Sequence, residues 1–133
     1  MTSGDHSNSN FAIALQSGKF VITAEVAPPV SADPADLLHR ALPLKGVATA
    51  VNVTDGAGAK AHMSSMASAV LLLQNGIEPI LQMTCRDRNR LALESDLIGA
   101  AALGIRNVLI LTGDDPKAGD QPDAKPVFDF NSQ

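Results

Sequence analysis

Apolar runs along this chain end in polar residues at a spacing of about thirty residues, the length of one strand-plus-helix unit. The ends fall at Glu25, at Thr54 with Asp55, at Thr84 with Cys85, and at Gly113 with Asp114. Successive parallel strands joined by helices place all their C-terminal ends on one edge of a sheet. The spacing therefore predicts that these polar residues converge into one site. The expected fold is α/β, built from parallel βα units of a TIM-type (β/α)8 barrel. At 133 residues, only about four of the eight units are present, because a full barrel needs roughly 250. The units are too dissimilar in sequence to be an internal duplication.

The expected elements follow from local chemistry. "KFVITAEV" at 19–26 is the first strand. Ser31 or Asp33 caps a helix with Pro34 in its first turn, running through Leu37, Leu38 and Ala41 to Pro43. "VATAVNVT" at 47–54 is the second strand. A helix over 61–75 should bury Met63, Met66, Val70 and Leu73, which recur at spacings of three and four, and Gly76 ends it. "IEPILQMT" at 77–84 is the third strand. Asp87 or Asn89 caps the next helix, through Leu91, Glu94, Ile98 and Ala102 to Gly104. "RNVLILT" is the fourth strand, and its unbroken Val108–Leu111 run suits a strand covered on both faces. These elements place a polar arm at 1–17, disordered over its first ten residues or so, the βα units at 18–118 and an irregular tail at 119–133.

Composition removes several classes of function. Hydrophobic residues make up 45% of the chain, which indicates a folded core. A net charge of −4 offers no basic footprint for nucleic acid. Four Phe with no Tyr or Trp leave little to stack on bases or sugars. The single Cys85 excludes an internal disulfide. The start "MTSGDHSNSN" lacks the basic and apolar regions of a secretory signal, so a cytoplasmic location is expected. "AVLLL" at 69–73 is far too short to span a bilayer.

Each candidate motif has a plainer alternative. Glu25 before Val-Ala-Pro-Pro is expected to be partly buried, and desolvation there would raise its pKa; the alternative is a solvated strand-end carboxylate. Gly-Asp-Asp-Pro at 113–116 suits a tight turn as well as a site. "GAGAKA" at 56–61 fits G-x-G-x-x-A between strand and helix, but the acidic residue expected at the end of the next strand is missing, since Gln82 stands near it. His6, His39 and His62 share no ligand spacing, so no metal site is expected, with Asp114–Asp115 as the residual alternative. Cys85 has no nearby His to act as base and reads as a packing residue. "RDRNR" at 86–90 either meets an anionic substrate or solvates a helix start.

Four segments together resemble the N-terminal half of the methylenetetrahydrofolate reductase family: "FVITAEVAPP", "VNVTDGAGA", "EPILQMTCRDRNR" and "GIRNVLILTGDDP", in family order and spacing over residues 18 to 118. The resemblance implies a flavin-dependent barrel enzyme, with FAD ahead of FMN. Such an enzyme reduces 5,10-methylenetetrahydrofolate to 5-methyltetrahydrofolate with NAD(P)H as donor, in one-carbon metabolism and methionine supply. Glu25 matches the family's acid, which protonates the folate. Asp114 matches the Asp that lies near flavin and pterin, and Thr54 matches a second-strand residue touching the flavin. Asp55 and Thr84, at the ends of the second and third strands, are assigned to the cofactor with it. Gln82 stands where many members carry a His beside the flavin, and Thr112 where some carry an Arg that reaches the cofactor phosphates. The chain alone is expected to be an incomplete, inactive piece that lacks its C-terminal half or self-associates. Two alternatives stand beside this reading: a non-catalytic half-barrel needing a partner, and a phosphate- or nucleotide-binding module using "GAGAKA".

Overall fold

The computed structural model describes residues 9–133, so the first eight residues of the arm expected at 1–17 lie outside the described residues. Four strands, β1 (Thr23–Val26), β2 (Ala50–Val53), β3 (Pro79–Thr84) and β4 (Asn107–Leu111), form one parallel sheet in the order β1-β2-β3-β4. Helices α2 (Pro34–Ala41), α3 (Ser65–Gln74) and α4 (Arg90–Ala102) connect them, and α1 (Asn10–Gln16) precedes β1. Sequential parallel order is that of barrel units, but the sheet is open, with β1 and β4 as its edges.

Strand pleating sends alternate residues to opposite faces. The register pairs Ala24 with Val51, Val26 with Val53, Val53 with Leu81, and Met83 with Ile110. These residues share one face and pack with Leu37, Ala41, Ala69, Leu72, Leu93 and Ala100 of the helices in a single core. The other face carries Glu25 beside Asn52, Asn52 beside Ile80, Gln82 beside Leu109, and Thr84 beside Leu111. Phe11 of α1 borders the N-terminal part of that mixed face, beside Thr23, Asn52, Ile80 and Leu109, and the strand-end polar residues stand at its other end.

Capping explains the helix starts. Asp33 accepts from Ala35 N, with Pro34 opening α2, and Asn89 accepts from Ala92 N to start α4. Ser64 caps α3, so that helix begins at Ser65 rather than at Ala61 and leaves Met63 outside it. The buried face of α3 is accordingly Ser65, Ser68, Ala69 and Leu72; Met66, Val70 and Leu73 lie at its margins. Small side chains bring this helix close to the sheet, which the count of large apolar residues obscured.

Two further expectations are corrected. Residues 10–16, expected as part of the polar arm, form an apolar-rich helix, held by Ser9 as its cap and by the Glu78 carboxylate, which accepts from Asn10 N and Phe11 N at 2.9 Å each. An anion at a helix N-terminus is stabilising, but Glu78 is too distant in sequence to leave a local signal. β4 is not covered on both faces: it is half exposed along its length, because it is an edge strand. β1 is likewise shorter than its apolar run, and Phe20 is 93% exposed. Among the described residues no helix is long and apolar enough to cross a membrane.

Candidate functional site

The C-terminal ends of all four strands meet at one cavity of about 370 Å³. Its lining includes Glu25, Thr54, Asp55, Gln82, Thr84, Thr112 and Asp114, all seven residues singled out from sequence, together with Ala57, Leu111, Gly113 and Ser132. Gln82 and Thr54 are buried on the central strands. Glu25 is exposed, the solvated of its two alternatives, because β1 is an edge strand. Its carboxylate still has a partner: Gln82 Nε2 donates to Glu25 Oε2 at 3.2 Å. The Thr54 hydroxyl and Gln82 Oε1 have no hydrogen-bond partner among the described residues, so both are free toward the cavity.

Asp55 and Thr84 are spent internally. Asp55 Oδ2 accepts from Thr84 N at 2.8 Å, from Thr84 Oγ1 at 3.1 Å and from Arg88 Nη1 at 2.6 Å. Arg88 Nε donates to Asp96 on α4 at 2.9 Å, which ties β2, β3 and α4 together at one guanidinium. Burial works against the charge on Arg88, but hydrogen bonds and charge from Asp55, then from Asp96, outweigh it and raise its pKa. Arg86 is buried and forks onto Asp87 at 2.8 and 2.7 Å; its Nη1 also donates to the carbonyls of Gly56 and Asp114. The bond to Asp87 raises the Arg86 pKa despite burial, and the same bond lowers that of Asp87. Asp114 Oδ2 accepts from Gly58 N at 2.8 Å, so the loops after β2 and β4 are laced to each other. Gly113 is confined to glycine: its φ is +96°, and a Cβ there would meet Arg86 Cβ at 2.9 Å.

The sequence matches the family model for methylenetetrahydrofolate reductase over residues 10–132. The chain belongs to the methylenetetrahydrofolate reductase family. No curated protein matches it. The family is one of flavin-dependent, folate-related oxidoreductases. Its match takes in α1 and most of the tail, both of which the sequence reading set apart from the βα units.

Other features fall away from the site. "GAGAKA" does not open a helix: Gly56 and Gly58 adopt positive φ around a short 3₁₀ turn at Ala57–Ala59, and α3 starts later, at Ser65. The geometry required for phosphate on that motif is therefore missing. "RDRNR" neither faces the cavity nor merely solvates a helix start, since Arg86 and Arg88 turn inward to carboxylates and Arg90 stacks on Phe130 at 5.7 Å and pairs with Asp129. Asp115 is turn chemistry, accepting from Lys117 N. Cys85 is buried among the core residues. No group of three or more His, Cys, Asp or Glu among the described residues could hold a metal ion. Sequence reasoning missed Ser132, which reaches the cavity from the tail and bonds Thr112 Oγ1 through both its hydroxyl and its N–H. Nothing local in "FDFNSQ" signals that return. It also missed Arg86 and Arg88 as the organisers of the loops, though the Arg-Asp-Arg alternation was a usable cue.

Proposed function

We propose that this chain carries the folate-facing wall of a methylenetetrahydrofolate reductase that converts 5,10-methylenetetrahydrofolate to 5-methyltetrahydrofolate, with NAD(P)H as donor and FAD as cofactor. One observation carries the reading: the seven residues assigned from sequence line one cavity, with an accessible carboxylate at its β1 side. The wall fits a flavin ring in chemistry. Gln82 Oε1 and the Thr54 hydroxyl are polar groups free to bond a heteroaromatic edge, and Gly113 contributes backbone alone to the same lining. Thr112 and Asp114 stand across the cavity from Glu25, and Asp55 and Thr84 shape the wall without offering it free atoms. A flavin held here supplies hydride transfer from nicotinamide to folate.

The chain's own contribution is a proton. Glu25 delivers it to one of the two nitrogens sharing the bridging methylene of the folate. The bond from that nitrogen to the methylene carbon breaks, and the carbon, left as an iminium on the other nitrogen, accepts the hydride as the nicotinamide is oxidised. Asp114, fixed by Gly58 N, orients the pterin. In the flavin-loaded protein Glu25→Gln is expected to retain nicotinamide oxidation by an artificial acceptor and to lose folate reduction by about 10²-fold or more. Full folate turnover in that variant removes Glu25 from the role.

A second reading rests on the edges. Val108 and Leu109 are exposed on β4, which suits a half-barrel that closes against a second chain. Light scattering across a concentration series decides it: a monomer throughout argues against the module.

A further inference from the structure

We infer that Gln82 is a positioning residue for Glu25, holding its carboxyl toward the cavity whether or not the proton is on it. The inference rests on the reading of Glu25 as proton donor and adds the group that aims it. The two residues sit on β1 and β3, two strand spacings or about 9–10 Å apart, so they meet only because both side chains are long enough to reach over β2. Gln82 is 6% exposed on a fully buried strand, whereas Glu25 stands on an exposed edge. The buried member therefore orients the exposed one. An amide suits a group that must cycle its proton, because its N–H donates to a carboxylate and, turned over, its carbonyl accepts from a carboxylic acid. A cation in the same place would hold the carboxyl ionised. The other charged residues of the cavity lining are already engaged: Asp55 by Arg88 and Asp114 by Gly58 N.

The first test needs no activity. In the full ¹⁵N-labelled chain, the Gln82 side-chain amide resonance is expected to titrate with Glu25 and to stop titrating in Glu25→Gln; an amide shift indifferent to Glu25 ionisation overturns the inference. In the flavin-loaded protein, Gln82→Lys, which favours the carboxylate, is expected to move the pH profile of folate reduction down by about one pH unit or more, and Gln82→Glu to move it up. Gln82→Met keeps the volume but not the bond and is expected to lower kcat by about tenfold or more. Gln82→Asn keeps the amide, falls short of Glu25 and should behave like Gln82→Met. If Glu25→Gln abolishes folate reduction while the Gln82 variants leave the profile in place, the positioning role fails alone. If Glu25→Gln turns over folate fully, the donor assignment fails instead, and the amide titration still reports whether the two side chains are coupled.

Discussion

β3 and β4 lie side by side in the same sheet, yet their environments are opposite. All six residues of β3 are buried, Gln82 and Thr84 included, while β4, with its Val-Leu-Ile-Leu run, is half exposed. Hydrophobicity alone would have ranked them the other way. A strand's burial is set by its neighbours on both sides, and a central strand can carry polar side chains where they are hydrogen-bonded. Gln82 and Thr84 meet that condition through Glu25 and Asp55, and they are also the residues at the site. The polar positions on a buried strand thus mark the cavity more sharply than the apolar positions on an exposed one.

The comparison breaks first, and hardest, at Leu81. It is 0% exposed on the helix-covered face of β3, paired with Val53 and Val108. Leu81→Ala is expected to cost about 2–5 kcal/mol, from lost transfer energy plus the cavity left behind. Urea unfolding monitored by circular dichroism checks it.

Next in size is Arg88, which joins the end of β3 to β2 and α4 through two carboxylates, whereas among the described residues the end of β4 is held by no ion pair, only by hydrogen bonds such as Gly58 N to Asp114 and Thr112 to Ser132. Removing the guanidinium strands a largely buried Asp55 carboxylate. Arg88→Met should therefore cost about 3 kcal/mol, and an accompanying Asp55→Asn should restore part of that loss in a double-mutant cycle. Additive losses would mean that the pair does not hold β2 to β3.

These two tests touch different kinds of legibility. The period of about thirty residues, the caps at Asp33 and Asn89 and the meeting of Glu25, Thr54, Gln82 and Asp114 at one edge were all readable, because they follow from local propensity and parallel topology. What could not be read depends on partners distant in the chain. Glu78 holds the start of a helix over residues 10–16, and the inward turn of Arg88 needs the Asp55 carboxylate, 33 residues back in the chain. The choice at Glu25 between a buried and a solvated carboxylate stayed open in the sequence for the same reason, since apolar Val-Ala-Pro-Pro follows it but does not cover it.

The loops after the two strands sharpen the contrast further. Asp87 follows β3 and is held below the ordinary carboxylate range by its bond to Arg86. A carboxylate whose folded pKa lies below its unfolded value stabilises the fold above about pH 4, and that contribution is lost as pH falls through the folded value. Asp87 is more than half exposed, so solvent screens the effect and it is modest. Asp87→Asn is expected to flatten the acid limb of the stability profile between neutral pH and pH 3, measured by thermal melts. An unchanged limb would place the acid sensitivity elsewhere.

The smallest effect is expected at Leu109, the neighbour of Gln82 across the β3–β4 register. It has the same chemistry as Leu81 but is 42% exposed on the open face. With so much of its surface already in water and room for solvent to fill the gap, Leu109→Ala should cost about 1 kcal/mol or less. The same measurement at rising protein concentration makes the comparison exact in kind. If the open face of β4 stays uncovered, the small cost is independent of concentration. If a second copy closes over it, Leu109 becomes a buried contact, and its cost should climb toward that of Leu81 as the chain associates.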